Sequence, residues 1–181
     1  MLTDKAAVRE IVVAPGGAGK THSLCEAVAD VLNSGEVVPL LVPLDLFAST
    51  AELDAFIRAQ TRGRSLQEIA KTSGVVFVFD AWSQFPSQAP RADARERRML
   101  VAMVGTARCV VAGRFASEAD AGFRQWTLQD LSDVQVDAVL AEAVPGLQPP
   151  RDLMPLLRLP LILLLYVVLG GAETKRGTLL R

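Results

Sequence analysis

The sequence predicts an α/β protein, a parallel sheet with helices on both faces. Three observations carry that reading. Short apolar runs alternate with segments of helical periodicity along the chain. The runs are continuous rather than alternating, as in strands buried on both faces. Glycine, proline and capping residues punctuate the joins.

The elements follow in order. Residues 9–14 (REIVVA) form a short buried strand that runs into a glycine-rich turn. His22 to Leu32 places Leu24, Cys25, Val28, Val31 and Leu32 at helical spacing, and Asn33-Ser34-Gly35 stops that helix. Residues 37–44 (VVPLLVPL) are extended, with Pro39 and Pro43 arguing for an edge-like strand. Ser49 with Glu52, and Ser65 with Glu68, have capping-box spacing and start two helices. Residues 75–79 (VVFVF) are a strand closed by Asp80, and 85–92 (FPSQAPRA) a loop. A helix covers Asp93 to Val104, with Arg95, Arg97 and Arg98 read as a solvated basic face. Cys109 to Ala112 is a fourth strand ending at Gly113-Arg114, and Arg124 to Leu128 a short fifth. Ser132 with Gln135 caps a helix to about Ala143, and the rest is helical with breaks at Pro155 and Pro160. Two domains are expected: 1–145, and a helical lid segment at 146–181 that the chain leaves incomplete.

Composition narrows the class. Half of the 181 residues are hydrophobic and 22% are charged, so a packed core is expected rather than disorder. Nineteen basic residues face twenty acidic ones, which excludes a strongly basic whole-domain surface, and no nucleic-acid partner is indicated. Two cysteines and one histidine cannot make a four-ligand zinc site. Both cysteines are expected buried and reduced, as in a cytoplasmic protein. The start MLTDKAAVREIVV lacks the pattern of a secretory leader. The most apolar stretch, 159–172, is shorter than the roughly 20 residues a bilayer span needs, so it reads as a buried helix.

The residues that carry chemistry begin at Ala14-Pro15-Gly16-Gly17-Ala18-Gly19-Lys20-Thr21, which fits the phosphate-loop pattern between a strand and a helix. Glycines let backbone N–H groups turn toward phosphates, and the following helix points its positive end at the same oxygens. Lys20 is placed to reach the β- and γ-phosphates and the Thr21 hydroxyl to ligate Mg2+. Asp80, at the end of a buried strand, suits the magnesium-side acid of such sites. Arg114 ends the next strand on the same sheet edge; it either contacts the γ-phosphate or is a solvated or ion-paired arginine. His22, on the first helical turn, faces solvent or the nucleotide sugar. Trp82 reads as a core or half-buried residue. Pro160 sits at a helix start, where its missing N–H costs nothing.

In this order the motifs resemble the NACHT group of STAND signalling ATPases. The resemblance rests on the phosphate loop, the PLLVPL strand from Pro39 to Leu46, and FVFDAW around Asp80. It continues in Gly113-Arg114, Leu128-Gln129-Asp130-Leu131 before a helix, and Leu159-Pro160-Leu161. It implies a three-layer P-loop NTPase domain with a five-stranded parallel sheet in the order 5-1-4-3-2, followed by the start of a helical lid. It also implies that Pro160 packs on the adenine ring. ATP or ADP with Mg2+ is the implied ligand, held by Pro15, Gly16, Gly17, Ala18, Gly19, Lys20, Thr21, His22 and Pro160, with Thr21 and Asp80 on the metal. The implied partners are neighbouring effector or sensor domains or further copies of the chain.

Where the family has two further carboxylates after the aspartate, this sequence has Ser83 and Gln84. An amide cannot take a proton from an attacking water, so a nucleotide-gated switch with weak or no hydrolysis is expected, with Asp80, Gln84 and Arg114 as the residues around any chemistry. Glu118 and Asp120 are candidate substitutes for the missing acid. The alternatives are a working ATPase or small-molecule phosphotransferase, and an interaction module that binds no nucleotide.

Overall fold

Five strands form a single parallel sheet in the computed structural model, which describes residues 9–86, 93–116 and 122–169. They are β1 (Arg9–Val13), β2 (Val38–Pro43), β3 (Val75–Asp80), β4 (Arg108–Gly113) and β5 (Arg124–Thr127), in spatial order β2-β3-β4-β1-β5. This is the expected order, read from the other edge. The helices are α1 (Lys20–Ser34), α2 (Thr50–Gln60), α3 (Leu66–Ala70), α4 (Asp93–Val104), α5 (Asp133–Ala143), α6 (Met154–Leu157) and α7 (Pro160–Val168).

Register explains why the strand ends matter. Val13 of β1 lies beside Gly113 of β4, and Phe79 of β3 beside Val111. The carboxyl ends of three neighbouring strands therefore share one sheet edge, the usual ligand-binding edge of a parallel sheet. The loop at residue 14, Asp80 and Arg114 all emerge there.

The two prolines of β2 are tolerated for a definite reason. The Val38 N–H donates to the Gly74 carbonyl at 2.7 Å, so Val38, Leu40 and Val42 turn their N–H groups toward β3. Pro39 and Pro43 fall on the open side, where a donor is not needed, and they blunt an edge that would otherwise template another strand.

Capping signals start the helices where expected. Ser49 Oγ accepts the Glu52 N–H at 3.2 Å. Ser65 with Glu68, and Ser132 with Gln135, form complete reciprocal capping boxes. Two polar side chains also join helices: Glu96 of α4 accepts from the Thr50 N–H and hydroxyl at 2.8 and 2.7 Å, and Asp54 of α2 accepts the Leu66 N–H at 2.7 Å.

The chain divides into two compact units. Residues 9–15 and 20–127 make one; residues 16–19 and 128–169 belong to the other. The first buries Ile11, Leu53, Leu66, Phe77, Phe79, Trp82 and Leu100 on one sheet face, and Leu24, Val31, Val76, Val78, Val110 and Ala112 on the other. The second has its own core of Val136, Leu140, Leu157, Leu163 and Tyr166.

Two expectations are corrected. Cys25 is exposed, because α1 turns Leu24 and Val31 inward and Cys25 sits one position round the helix. Only Cys109 is buried, and burial pushes its thiol up to about 12. Arg97 is not on a solvated face either: it is buried, and its guanidinium lies 3.5 Å from the Trp82 carbonyl oxygen. Most of the expected loop at 85–92 lies outside the described residues. Among the described residues no helix is long and apolar enough to cross a membrane.

Candidate functional site

The loop after β1 is built from its backbone. The Ala14 N–H donates to the Gly113 carbonyl at 3.3 Å, which extends the β1–β4 pairing into the first loop residue. Gly17 and Gly19 have φ of 79° and 85°, a region where a Cβ brings strain, so these positions call for glycine. Helix α1 begins at Lys20, leaving the N–H groups of its first turn without helical partners. The Lys20 ammonium donates to the Ala14 and Pro15 carbonyls at 2.7 and 2.8 Å. Burial lowers the Lys20 pKa below its usual value, the Asp80 carboxylate opposes that, and the Arg114 guanidinium adds to it.

The next residue meets the end of β3. The Thr21 hydroxyl donates to Asp80 Oδ2 at 2.6 Å, across 59 positions of sequence. The other carboxylate oxygen accepts the N–H of Ala81 at 2.8 Å. Ala81 has φ of 57°, left-handed and unusual for alanine, and that conformation accompanies the inward-turned N–H. The carboxylate is thus fixed from both sides. A single carboxylate beside a hydroxyl suits a hard cation that keeps water and phosphate ligands, as Mg2+ does. Among the described residues no group of three or more His, Cys, Asp and Glu could hold a metal by itself.

Past Asp80 the chain makes a 3-10 turn over Trp82–Gln84. Trp82 is fully buried against the rings of Phe79 and Phe123. Gln84 is exposed, and its N–H donates to the Ala81 carbonyl at 2.8 Å. Ser83 turns toward β4: its Oγ accepts the Arg114 N–H at 2.9 Å. The Arg114 residue itself is exposed. Reasoning from motifs did not find the Ser83–Arg114 link, because a hydroxyl bonded to a backbone N–H leaves no spacing pattern. Glu118 and Asp120 lie outside the described residues.

The remaining candidates divide. His22 stands on the exposed surface of α1 with its Nε2 3.3 Å from Glu26 Oε1, an i,i+4 pair. Pro160 opens α7, and the next residue, Leu161, donates its N–H to the Gly17 carbonyl at 3.1 Å. A Cβ at Gly17 would stand 3.0 Å from Leu161 Cβ, and one at Gly19 3.7 Å from the Pro160 ring. Close approach is therefore a second reason for glycine at 17. Leu161 enters the sequence reading only as the end of Leu159-Pro160-Leu161, with no contact of its own, since it reads as one more leucine in an apolar run. The same region is tied together by the Arg158 carbonyl, which accepts the Leu131 N–H at 2.9 Å, and by the Arg158 guanidinium on both oxygens of Asp133.

No family model matches the chain, and no curated protein does. Solved structures do. DnaA of Aquifex aeolicus bound to AMPPCP aligns with a TM-score of 0.63 at 15% identity, over 96% of this chain and 58% of that one. ORC1 of Aeropyrum pernix in complex with DNA aligns at 0.56 and 13%, over 93% and 55%. A STAND protein with a tetratricopeptide repeat sensor from Pyrococcus horikoshii aligns at 0.52 and 16%, over 88% and 28%. The chain thus spans a little over half the length of the DnaA and ORC1 chains. The expectation that nucleic acid is not indicated as a partner is corrected: a near-neutral balance of charge does not set this fold apart from DNA-bound proteins, since ORC1 carries DNA. With its five-stranded parallel sheet and surrounding helices, the chain has the fold of a P-loop ATPase domain.

Proposed function

We propose that this chain is a NACHT-like cytoplasmic domain that binds ATP or ADP with Mg2+ and works as a nucleotide-gated switch. The observation that carries the reading is the Thr21–Asp80 hydrogen bond, which joins the helix start after a glycine loop to the end of a buried strand. In this reading the N–H groups of residues 16–19 hold phosphate oxygens, aided by the α1 N-terminus. Lys20 exchanges its two carbonyl partners for the β- and γ-phosphates. Mg2+ would be held by Thr21 and Asp80 and would neutralise charge building up between those phosphates. Pro160, on the adenine, follows from the resemblance. The partners are neighbouring effector or sensor domains or further copies of this chain, whose packing the bound nucleotide sets.

Calorimetry with Mg-ATP tests the reading. Lys20→Ala removes a charge-assisted contact worth about 1.5–3 kcal/mol, one to two decades of affinity. Equal affinity in wild type and mutant would overturn it.

Hydrolysis is expected to be slow. Ser83 is engaged by the Arg114 N–H, and Gln84 supplies an amide where a general base is needed. A glutamine orients water without deprotonating it, so residual turnover is consistent. Gln84→Glu is expected to raise phosphate release by about 10²–10⁴-fold, the usual contribution of a general base. A wild type that turns over briskly, with a mutant no faster, favours the alternative of a working ATPase.

A further inference from the structure

We propose that Ser83 is a positioning residue for Arg114, setting the chain's preference for a triphosphate over a diphosphate; this rests on the nucleotide reading above. The argument starts at the end of β4. Its last residue, Gly113, is buried and is not among the glycines with positive φ, so conformational freedom does not explain the glycine. Space does. A Cβ there would meet the Phe115 carbonyl at 3.3 Å and the Ser83 backbone nitrogen and Cβ at 3.6 and 3.7 Å. The 3-10 turn after Asp80 thus lies directly against the end of β4.

At that contact the Ser83 hydroxyl accepts the Arg114 N–H at 2.9 Å. The bond fixes the direction in which the arginine leaves the sheet. Gly113 pairs with Val13 and its carbonyl accepts the Ala14 N–H at 3.3 Å, so Arg114 leaves the sheet beside the start of the loop that leads to Lys20. A hydroxyl is the right acceptor for this task. A carboxylate at 83 would also accept the N–H, but it would attract the guanidinium and spend its charge locally. Serine orders the backbone and leaves the guanidinium free for a phosphate. The terminal phosphate is the part of ATP that ADP lacks, so the effect of Ser83 falls on ATP alone.

The test titrates wild type, Ser83→Ala, Ser83→Thr, Arg114→Ala and the Ser83→Ala/Arg114→Ala double variant with Mg-ATP and with Mg-ADP. Loss of one neutral hydrogen bond predicts a roughly threefold to tenfold drop in ATP affinity for Ser83→Ala, with ADP affinity held. Ser83→Thr, which keeps the hydroxyl, restores ATP affinity. Arg114→Ala loses ATP affinity by about ten- to a hundredfold, and the double variant is no worse, since the serine acts through the arginine. If Ser83→Ala fails to fold by circular dichroism, Ser83→Gly, which also removes the hydroxyl, is expected to show the same ATP-selective loss. An equal loss for both nucleotides, no loss, or additive effects in the double variant overturns the proposal while leaving nucleotide binding intact. A wild type that binds neither nucleotide overturns the underlying reading as well.

Discussion

One face of the sheet is packed with rings and the other with small aliphatic side chains. On the first, Phe77 and Phe79 stack, Phe79 meets Trp82, and Trp82 meets Phe123. Helices α2, α3 and α4 close that side through Leu53, Ile57, Leu66, Leu100 and Val104. On the second, Val76, Val78, Val110 and Ala112 face Leu24 and Val31 of a single helix, α1. Strand β3 sorts the two sets by itself, since alternate residues point to opposite faces. Bulk on one side supplies most of the apolar burial. Small size on the other lets α1 approach closely, and α1 is the helix that begins with Lys20 and Thr21. Scaffold strength and site geometry are thus carried by opposite faces of the same strands.

Substitutions on the two faces separate these roles. Phe77→Ala is expected to cost about 3–5 kcal/mol of unfolding free energy in urea denaturation, the range for a fully buried ring. ATP affinity of the folded protein is expected to stay put. Val78→Phe, on the other face, costs less, about 1–3 kcal/mol from overpacking. It should weaken ATP binding by calorimetry, because the added ring lifts α1 and parts Thr21 from Asp80. A Phe77→Ala protein with weakened binding, beside a Val78→Phe protein with normal binding, would reverse the division proposed here.

The smallest expected effect concerns acid. On the aromatic side, hydrogen bonds from Thr50 hold the Glu96 carboxyl below its ordinary value, and bonds from Ser65 do the same for Glu68. A carboxyl with a depressed folded pKa stabilises the fold above its unfolded value, near 4.5 for glutamate, and loses that contribution as pH falls through the folded value. Glu96→Gln keeps the shape but weakens the acceptor, at a cost of about 0.5–1.5 kcal/mol at neutral pH. Its thermal midpoint should fall less steeply below pH 4.5 than that of the wild type.

Strand and helix positions were legible because burial, capping and turn chemistry agree locally. Asp93–Val104 and Asp133–Ala143 have the expected limits, and Pro39 with Pro43 marked an edge strand. The division of β3 into large and small residues was present in VVFVF but invisible to a reading that counts every apolar residue alike. Cys25 and Arg97 were misplaced for a related reason: helical periodicity fixes a face only to within a neighbouring position. At the site, the loop from Ala14 to Thr21 and Asp80 carry spacing and context, so they could be singled out from sequence. The contacts of Ser83 and Leu161 are hydrogen bonds to or from the backbone, made where chain segments converge, and residue type alone does not announce them.

The pairing of β1 also has a consequence for biosynthesis. Both neighbours of this strand come late in the chain: Arg9 pairs beside Cys109, and Glu10 beside Arg124. On a ribosome adding about 5–20 residues per second, the partner of Arg9 is polymerised roughly 5–20 s after it. During that interval the apolar strand has emerged without the strands that cover its two edges. This interior strand of the finished sheet is therefore the one that waits longest, and it depends most on whatever shields a nascent chain.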